Sequence, residues 1–288
     1  MNHEDYIVRP GTQVRLSERD PGFTGAFGGE QEAQAQTKEL GKQLRRYQDM
    51  IEAHATYGVL ILFQGMDASG KDESIEEVFS YLDPQVCLTK QFKKPDKTEA
   101  KHDFLWRVVQ ALPARGQIGI FNRSYYEQVT AEQVYPEQID QWGLPPEARQ
   151  DLWNKRYTQI NNFEQHLAEN GFVVIKFFLH ISKETERERL LERIEQPDMQ
   201  HQFSESDLRH YNDWDAFQQS FEEMLGNTST AWAPWYVIPA NNRSFTYATV
   251  ASILEQKFKE LHTDYPALSD EDKQVLEKAR SIFERERG

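Results

Sequence analysis

Val59-Leu60-Ile61-Leu62-Phe63-Gln64-Gly65-Met66-Asp67-Ala68-Ser69-Gly70-Lys71 is the stretch that decides the fold. Its first five residues form a continuous apolar run of strand length, the pattern of a parallel strand buried on both faces. From Gly65 to Lys71 the chain fits G-x-x-x-x-G-K, and Ile75, Val78, Phe79 and Leu82 then recur at helical spacing. Strand, glycine loop and helix in that order make a phosphate cradle. The glycines let successive amides point inward, and the helix N-terminus adds partial positive charge. Lys71 is placed to neutralise a transferring phosphate.

Working outward, further apolar runs lie at 118–121, 172–181 and 235–239, with helical patterns over 98–112, 146–169, 182–195, 205–225 and 246–262. Between Glu30 and His54, Leu40, Leu44, Tyr47 and Ile51 fall on one helix face. Strands alternating with helices predict an α/β fold, a parallel sheet with helices on both faces. The expected organisation is an N-terminal extension and helix over 1–55, a main domain over 56–265, and a peripheral C-terminal helix over 266–288.

The 288 residues carry a net charge of −14, which argues against a nucleic-acid partner. Between Gly65 and Arg123, however, nine basic residues match nine acidic ones, so the acidity lies elsewhere. Cys87 is the single cysteine, which excludes an intrachain disulfide and suits a small buried hydrophobe in a reducing cytoplasm. The N-terminus lacks the apolar core of a signal peptide, and no run approaches the roughly 18 apolar residues of a membrane span. A soluble, cytoplasmic chain without a membrane partner is expected.

Asp72 follows the loop lysine, where the common loop has the Ser or Thr that holds Mg²⁺. Asp67 is the alternative: a carboxylate among phosphates either holds Mg²⁺ or orients an attacking acceptor oxygen, unless it only caps the turn. Asn122 ends the second strand, where P-loop enzymes commonly carry an acidic residue. It can hold a metal-bound water. Arg123 is a candidate bidentate phosphate clamp, or one half of a structural ion pair. Arg189 and Arg193, four apart, project from one helix face and could close over phosphate. Glu186, Glu188, Glu192 and Glu195 surround them, so a solvated, salt-bridged helix stays open as a reading. His102 and Trp106 are core or site, with the core favoured for Trp106, and Asp103 has the spacing to pair with Arg107.

Six blocks then occur in one order: Gly65 to Asp72, Phe92-Lys93-Lys94-Pro95, His102 to Arg107, Phe121-Asn122-Arg123-Ser124, Ser182-Lys183-Glu184 with Arg189 and Arg193, and Ala233 to Ala240. In these the chain resembles the polyphosphate kinase 2 family, from about residue 6 to 262. The resemblance implies a P-loop kinase fold with a helical lid at about 183–215. It implies reversible transfer of phosphoryl groups from inorganic polyphosphate to AMP, ADP or both, with Mg²⁺, or Mn²⁺ in its place, and a homodimer or homotetramer. Asp67, Lys71 and Arg123 are then catalytic. Gly65, Ala68, Ser69, Gly70, Asp72, Lys93, Arg189 and Arg193 bind phosphate. Asn122, His102, Asp103, Arg107, Tyr126 and Glu127 support the nucleotide or the structure. Asn122 is similar to the subgroup that accepts both AMP and ADP. The chain departs from the family at Glu73, Glu76, Gln133 and Gln202. At an effective dielectric of about 20, a like charge some 8 Å from a phosphate costs about 2 kcal/mol before screening. An ATP-dependent nucleotide kinase and a catalytically weakened relative are therefore the rival readings.

Overall fold

In the computed structural model, which describes residues 1–25 and 27–286, the apolar run becomes the central strand β1 (Gly58–Gly65). It is buried from Gly58 to Gln64, because strands flank it on both sides and helices cover both faces. The other strands are β2 (Cys87–Gln91), β3 (Ile118–Asn122), β4 (Phe172–His180) and β5 (Trp235–Pro239). Their order is β2-β3-β1-β4-β5, every neighbouring pair parallel.

The helices in chain order are α1 (Glu30–His54), α2 (Lys71–Phe79), α3 (Trp106–Val109), α4 (Ala131–Val134), α5 (Pro146–Arg149) and α6 (Leu152–Glu169). They continue as α7 (Lys183–Glu195), α8 (Glu205–Asn212), α9 (Trp214–Thr228), α10 (Arg243–Glu260) and α11 (Asp270–Glu286). α1 packs along α10. It buries Ala33, Thr37, Leu40, Leu44, Gln48 and Ile51, a stripe at three- and four-residue spacing, and stops at Ala55, whose left-handed φ of 50° turns the chain toward β1. Complete burial of Leu44 or Ile51 contributes about 1.5–3 kcal/mol each. α11 buries none of its residues. At the open edge of β5, the Val8 amide donates to the Trp235 carbonyl (2.9 Å) and the Val237 amide to the Tyr6 carbonyl (2.8 Å). This strap satisfies an edge that would otherwise offer unpaired groups to another chain.

Lys176 interrupts the apolar run of β4 and is completely buried. Its ammonium donates to Glu164 Oε2 on α6 (2.7 Å), the Tyr126 hydroxyl (2.9 Å) and the Thr228 carbonyl at the end of α9 (2.7 Å). The hydroxyls of Tyr125 and Tyr126 donate to Glu164 Oε1 at 2.7 and 2.6 Å. All three ammonium donors are used, which is the condition for keeping such a charge pair in the interior. Tyr126 is thus part of the scaffold.

Several expectations are corrected. β2 was not foreseen: it is an edge strand, paired only with β3, and its last four residues are exposed, so no hydrophobic pattern marks it. Cys87, at its start, is half-buried, and burial pushes its thiol up to about 12. The helix expected over 98–112 shrinks to one turn at Glu99–Lys101 and to α3, because Asp103 Oδ1 accepts from the Leu105 amide (3.0 Å) and turns the chain. Trp106 is half-buried and stacks with His102 at 4.0 Å, so it is not core. Arg107 pairs with Glu99 (3.1 Å) instead of Asp103. The helix expected over 205–225 breaks at Asp213, which separates α8 from α9.

Candidate functional site

The carboxyl ends of parallel strands are where open α/β sheets bind ligands. There a cleft of about 530 Å³ opens, walled by the loop from Asp67 to Glu73, by Phe92 to Lys94, by Asn122 and Arg123, and by α7 and α8. The loop takes its shape from Gly65 and Gly70, with φ of 147° and 91°. A Cβ on Gly65 would lie 2.6 Å from the Leu179 carbonyl oxygen, so no larger residue fits. Ala68 is also left-handed, at φ 54°. Arg189 braces this turn: it donates to the carbonyls of Ala68 (2.9 Å), Ala240 (2.7 Å) and Asn241 (3.1 Å). Arg189 is buried and does not line the cleft. Lys71 folds back on the loop, donating to the carbonyls of Gly65 (2.9 Å) and Met66 (2.8 Å) and to Ser69 Oγ (3.3 Å). Burial, helped by the Arg123 charge, lowers the Lys71 pKa.

Asp67 is gripped from two sides. Oδ1 accepts from the Arg123 guanidinium at 2.5 Å, and Oδ2 faces His210 Nδ1 at 2.5 Å. Burial by itself would push this carboxyl up, but the His210 hydrogen bond and the Arg123 and Lys71 charges outweigh it, holding Asp67 well below the usual carboxylate range. Arg123 follows β3 in a left-handed conformation (φ 60°), its amide still donating to the Phe63 carbonyl (3.1 Å). Its guanidinium also approaches Glu127 at 3.7 Å. Asn122 donates to Asp72 Oδ1 (2.6 Å), while its own Oδ1 is buried without a partner.

Lys93, Lys94 and Arg193 add cations to the cleft wall, and Arg193 lies 3.6 Å from Asp207. Arg107 stands behind that wall, donating to the Lys93 carbonyl (2.8 Å) with its guanidinium 5.0 Å from the centre of the Phe92 ring. His102 and Asp103 lie outside the cleft, lining a separate hollow with Trp142 and Leu144. Of the departures, Glu73 and Gln202 line the cleft, whereas Glu76 is exposed outside it. Gln133 bonds to Glu223 and Tyr157.

The places of three acidic or titratable groups were not foreseen, Glu186 having been grouped with a solvated helix face. Glu186, on α7, is completely buried with neither oxygen hydrogen-bonded; burial first, then the Asp67 charge, pushes its carboxyl up to about 8. Asp207 and His210 come from α8. Their helix, though not their partners, carried a local signal: Ser204-Glu205-Ser206-Asp207 forms a capping box, which marks the helix start and sets His210 one turn after Asp207. No helix among the described residues is long and apolar enough to cross a membrane. Nor do three His, Cys, Asp or Glu side chains among them form a metal cluster.

The Polyphosphate kinase 2 (PPK2) family model matches residues 29–265. The chain is 39% identical over 262 residues to an AMP/ADP-polyphosphate phosphotransferase of Meiothermus ruber, covering 91% of this chain and 94% of that protein. It is 40% identical over 227 residues to an ADP-polyphosphate phosphotransferase of Rhodopseudomonas palustris, covering 78% of each. The crystal structure of Polyphosphate Kinase 2 from Arthrobacter aurescens TC1 superposes with a TM-score of 0.84 at 29% identity, over 93% of this chain and 94% of that one. A five-stranded parallel sheet with a glycine loop at its carboxyl end, and a family model and relatives that match most of the chain, establish that the chain belongs to the polyphosphate kinase 2 family.

Proposed function

We propose that this protein is a phosphotransferase that moves phosphoryl groups reversibly from inorganic polyphosphate to AMP and ADP. The observation that carries the reading is the Asp67 carboxylate, set within the loop and gripped by Arg123 beside Lys71, at the mouth of a cleft walled by further lysines and arginines. Two phosphate chains meeting end to end need such cations and no nucleophilic side chain.

The donor set fits Mg²⁺. Asp67, and the partnerless Oδ1 of Asn122 through a water, are the hard oxygens such an ion takes while keeping waters and substrate phosphates as its other ligands. When bound, it would supply charge neutralisation between the phosphates. The chain's own residues do the rest: Lys71 exchanges the Gly65 and Met66 carbonyls for the transferring phosphoryl group, and Arg123 neutralises its oxygens. Asp67 orients the acceptor phosphate, which is already anionic near neutral pH and needs no strong base. Ala68, Ser69, Gly70, Asp72, Lys93 and Arg193 line the path of the phosphate chain, and Gly65 and Arg189 hold the loop's shape. In this reading 56–265 is the kinase unit, 183–215 its lid, the cytoplasm its location and a homodimer or homotetramer its assembly.

The test is purified protein with Mg²⁺ and AMP or ADP, supplied with either polyphosphate or ATP, and chromatography of the nucleotides. Products formed with polyphosphate alone support the proposal. Products formed with ATP alone, or binding without product, overturn it.

A further inference from the structure

Asp67 Oδ1 is held by Arg123, from the rigid end of β3, whereas Oδ2 is held by His210, from α8. A carboxylate with one such bond still turns about its Cβ–Cγ axis. With two it is fixed. A carboxylate only accepts, so Nδ1 of His210 is the nitrogen that carries the proton.

The His210 ring is itself set in place. It stacks on Tyr135 (5.6 Å between centroids, 25°) and meets the edge of Phe217 (5.0 Å, 62°). Tyr135 meets Phe217 of α9 as well (5.8 Å, 73°), and it is tied to α8 and the residue after it: the Arg209 guanidinium lies 3.7 Å from the centre of its ring, and its hydroxyl donates to Asp213 Oδ2 at 2.8 Å. The start of α8 is tied by the capping box, in which the Ser204 amide donates to Asp207 Oδ2 (2.8 Å), and by Ser204 Oγ donating to the same oxygen (2.6 Å), while Asp207 faces Arg193 of α7. Displacing α8 would therefore carry His210 off Asp67.

We propose that His210 is a positioning residue that couples the lid helix α8 to the Asp67 carboxylate, so that seating the lid and orienting that carboxylate are one event. This rests on the proposed role of Asp67 in orienting the acceptor phosphate.

Two substitutions separate hydrogen bonding from packing. His210→Phe keeps a ring between Tyr135 and Phe217 and removes the donor; His210→Asn places a side-chain N–H where Nδ1 stood. Steady-state kinetics with polyphosphate, ADP and Mg²⁺ are read at a temperature where circular dichroism shows both variants folded. His210→Phe is expected to lower kcat about 10- to 100-fold while the KM for polyphosphate moves less than about threefold, and His210→Asn to recover most of that loss. A wild-type kcat in His210→Phe, or equal losses in both variants, overturns the coupling. Should the wild-type protein show no polyphosphate activity, the proposed function fails but the coupling is still measurable. In urea unfolding, His210→Phe should lower the midpoint of the parent chain by more than that of the Asp67→Ala chain, in which no side-chain oxygen accepts from Nδ1. Equal shifts in both backgrounds overturn the inference.

Discussion

Asp67→Asn removes the negative charge that Arg123 and His210 grip, and is expected to lower kcat by about 10²- to 10³-fold, with circular dichroism unchanged. Near-normal turnover would remove Asp67 from the chemistry. Glu186 gives a prediction of opposite sign. Its carboxyl sits at about 8 in the folded protein against an ordinary 4.5, so the folded state holds a proton that the unfolded state has released. The associated stability is fully present below pH 4.5 and is lost as pH rises through 8. The whole effect is at most on the order of 4–5 kcal/mol. Glu186→Gln, unfolded in urea without metal, should show a flatter pH profile than the parent, matching it near pH 5 and exceeding it at pH 9. Parallel profiles would refute the assignment. Asp67, Lys71 and Arg123 were legible in the sequence because a loop motif and a strand end place them locally. His210 and Glu186 were not, because each acquires its meaning from a neighbour more than a hundred residues away.

At the scale of elements, the loop's conformation depends on a helix distant in sequence. Arg189 serves three carbonyls from two separated nitrogens, Nη1 on Ala68 and Nη2 on Ala240 and Asn241, a spread that the single nitrogen of a lysine does not offer. Arg189→Lys is expected to cost about 2 kcal/mol in urea unfolding, the scale of charge-assisted bonds lost, and a change under about 0.5 kcal/mol would show the brace to be dispensable. The sequence paired Arg189 with Arg193 from their spacing, yet only Arg193 reaches the cleft. Side-chain length lets two residues on one face end in different places. Buried elements announced themselves: β1 by its apolar run, α1 by its stripe. β2 did not, since an edge strand exposed along most of its length needs no pattern, and the region 98–112 carried a periodicity that amounts to little more than Phe104 and Val108 facing the core.

For the whole molecule, the strand order was beyond the sequence, but the site's location at the strand ends followed from any parallel arrangement. The strap of Tyr6 to Val8 across β5 was not legible either, because an isolated bridge leaves no periodic trace. Lys176 is the residue on which the layers converge. Lys176→Met would leave Glu164 charged, buried and short of its cation, and is expected to cost about 3–5 kcal/mol in urea unfolding. A cost under about 1 kcal/mol would show the buried pair to be dispensable. The same ammonium has a kinetic meaning. It fastens β4, α6, the turn at Tyr126 and the last residue of α9 at one point, so each of these loses a buried charge-assisted bond when it opens, and β4 loses all three. Their amides should exchange with deuterium together, at the rate of global unfolding, whereas those of α8 should exchange through smaller and more frequent openings. The sheet and its pinned helices would then form one slow-exchanging foldon beneath a faster α8.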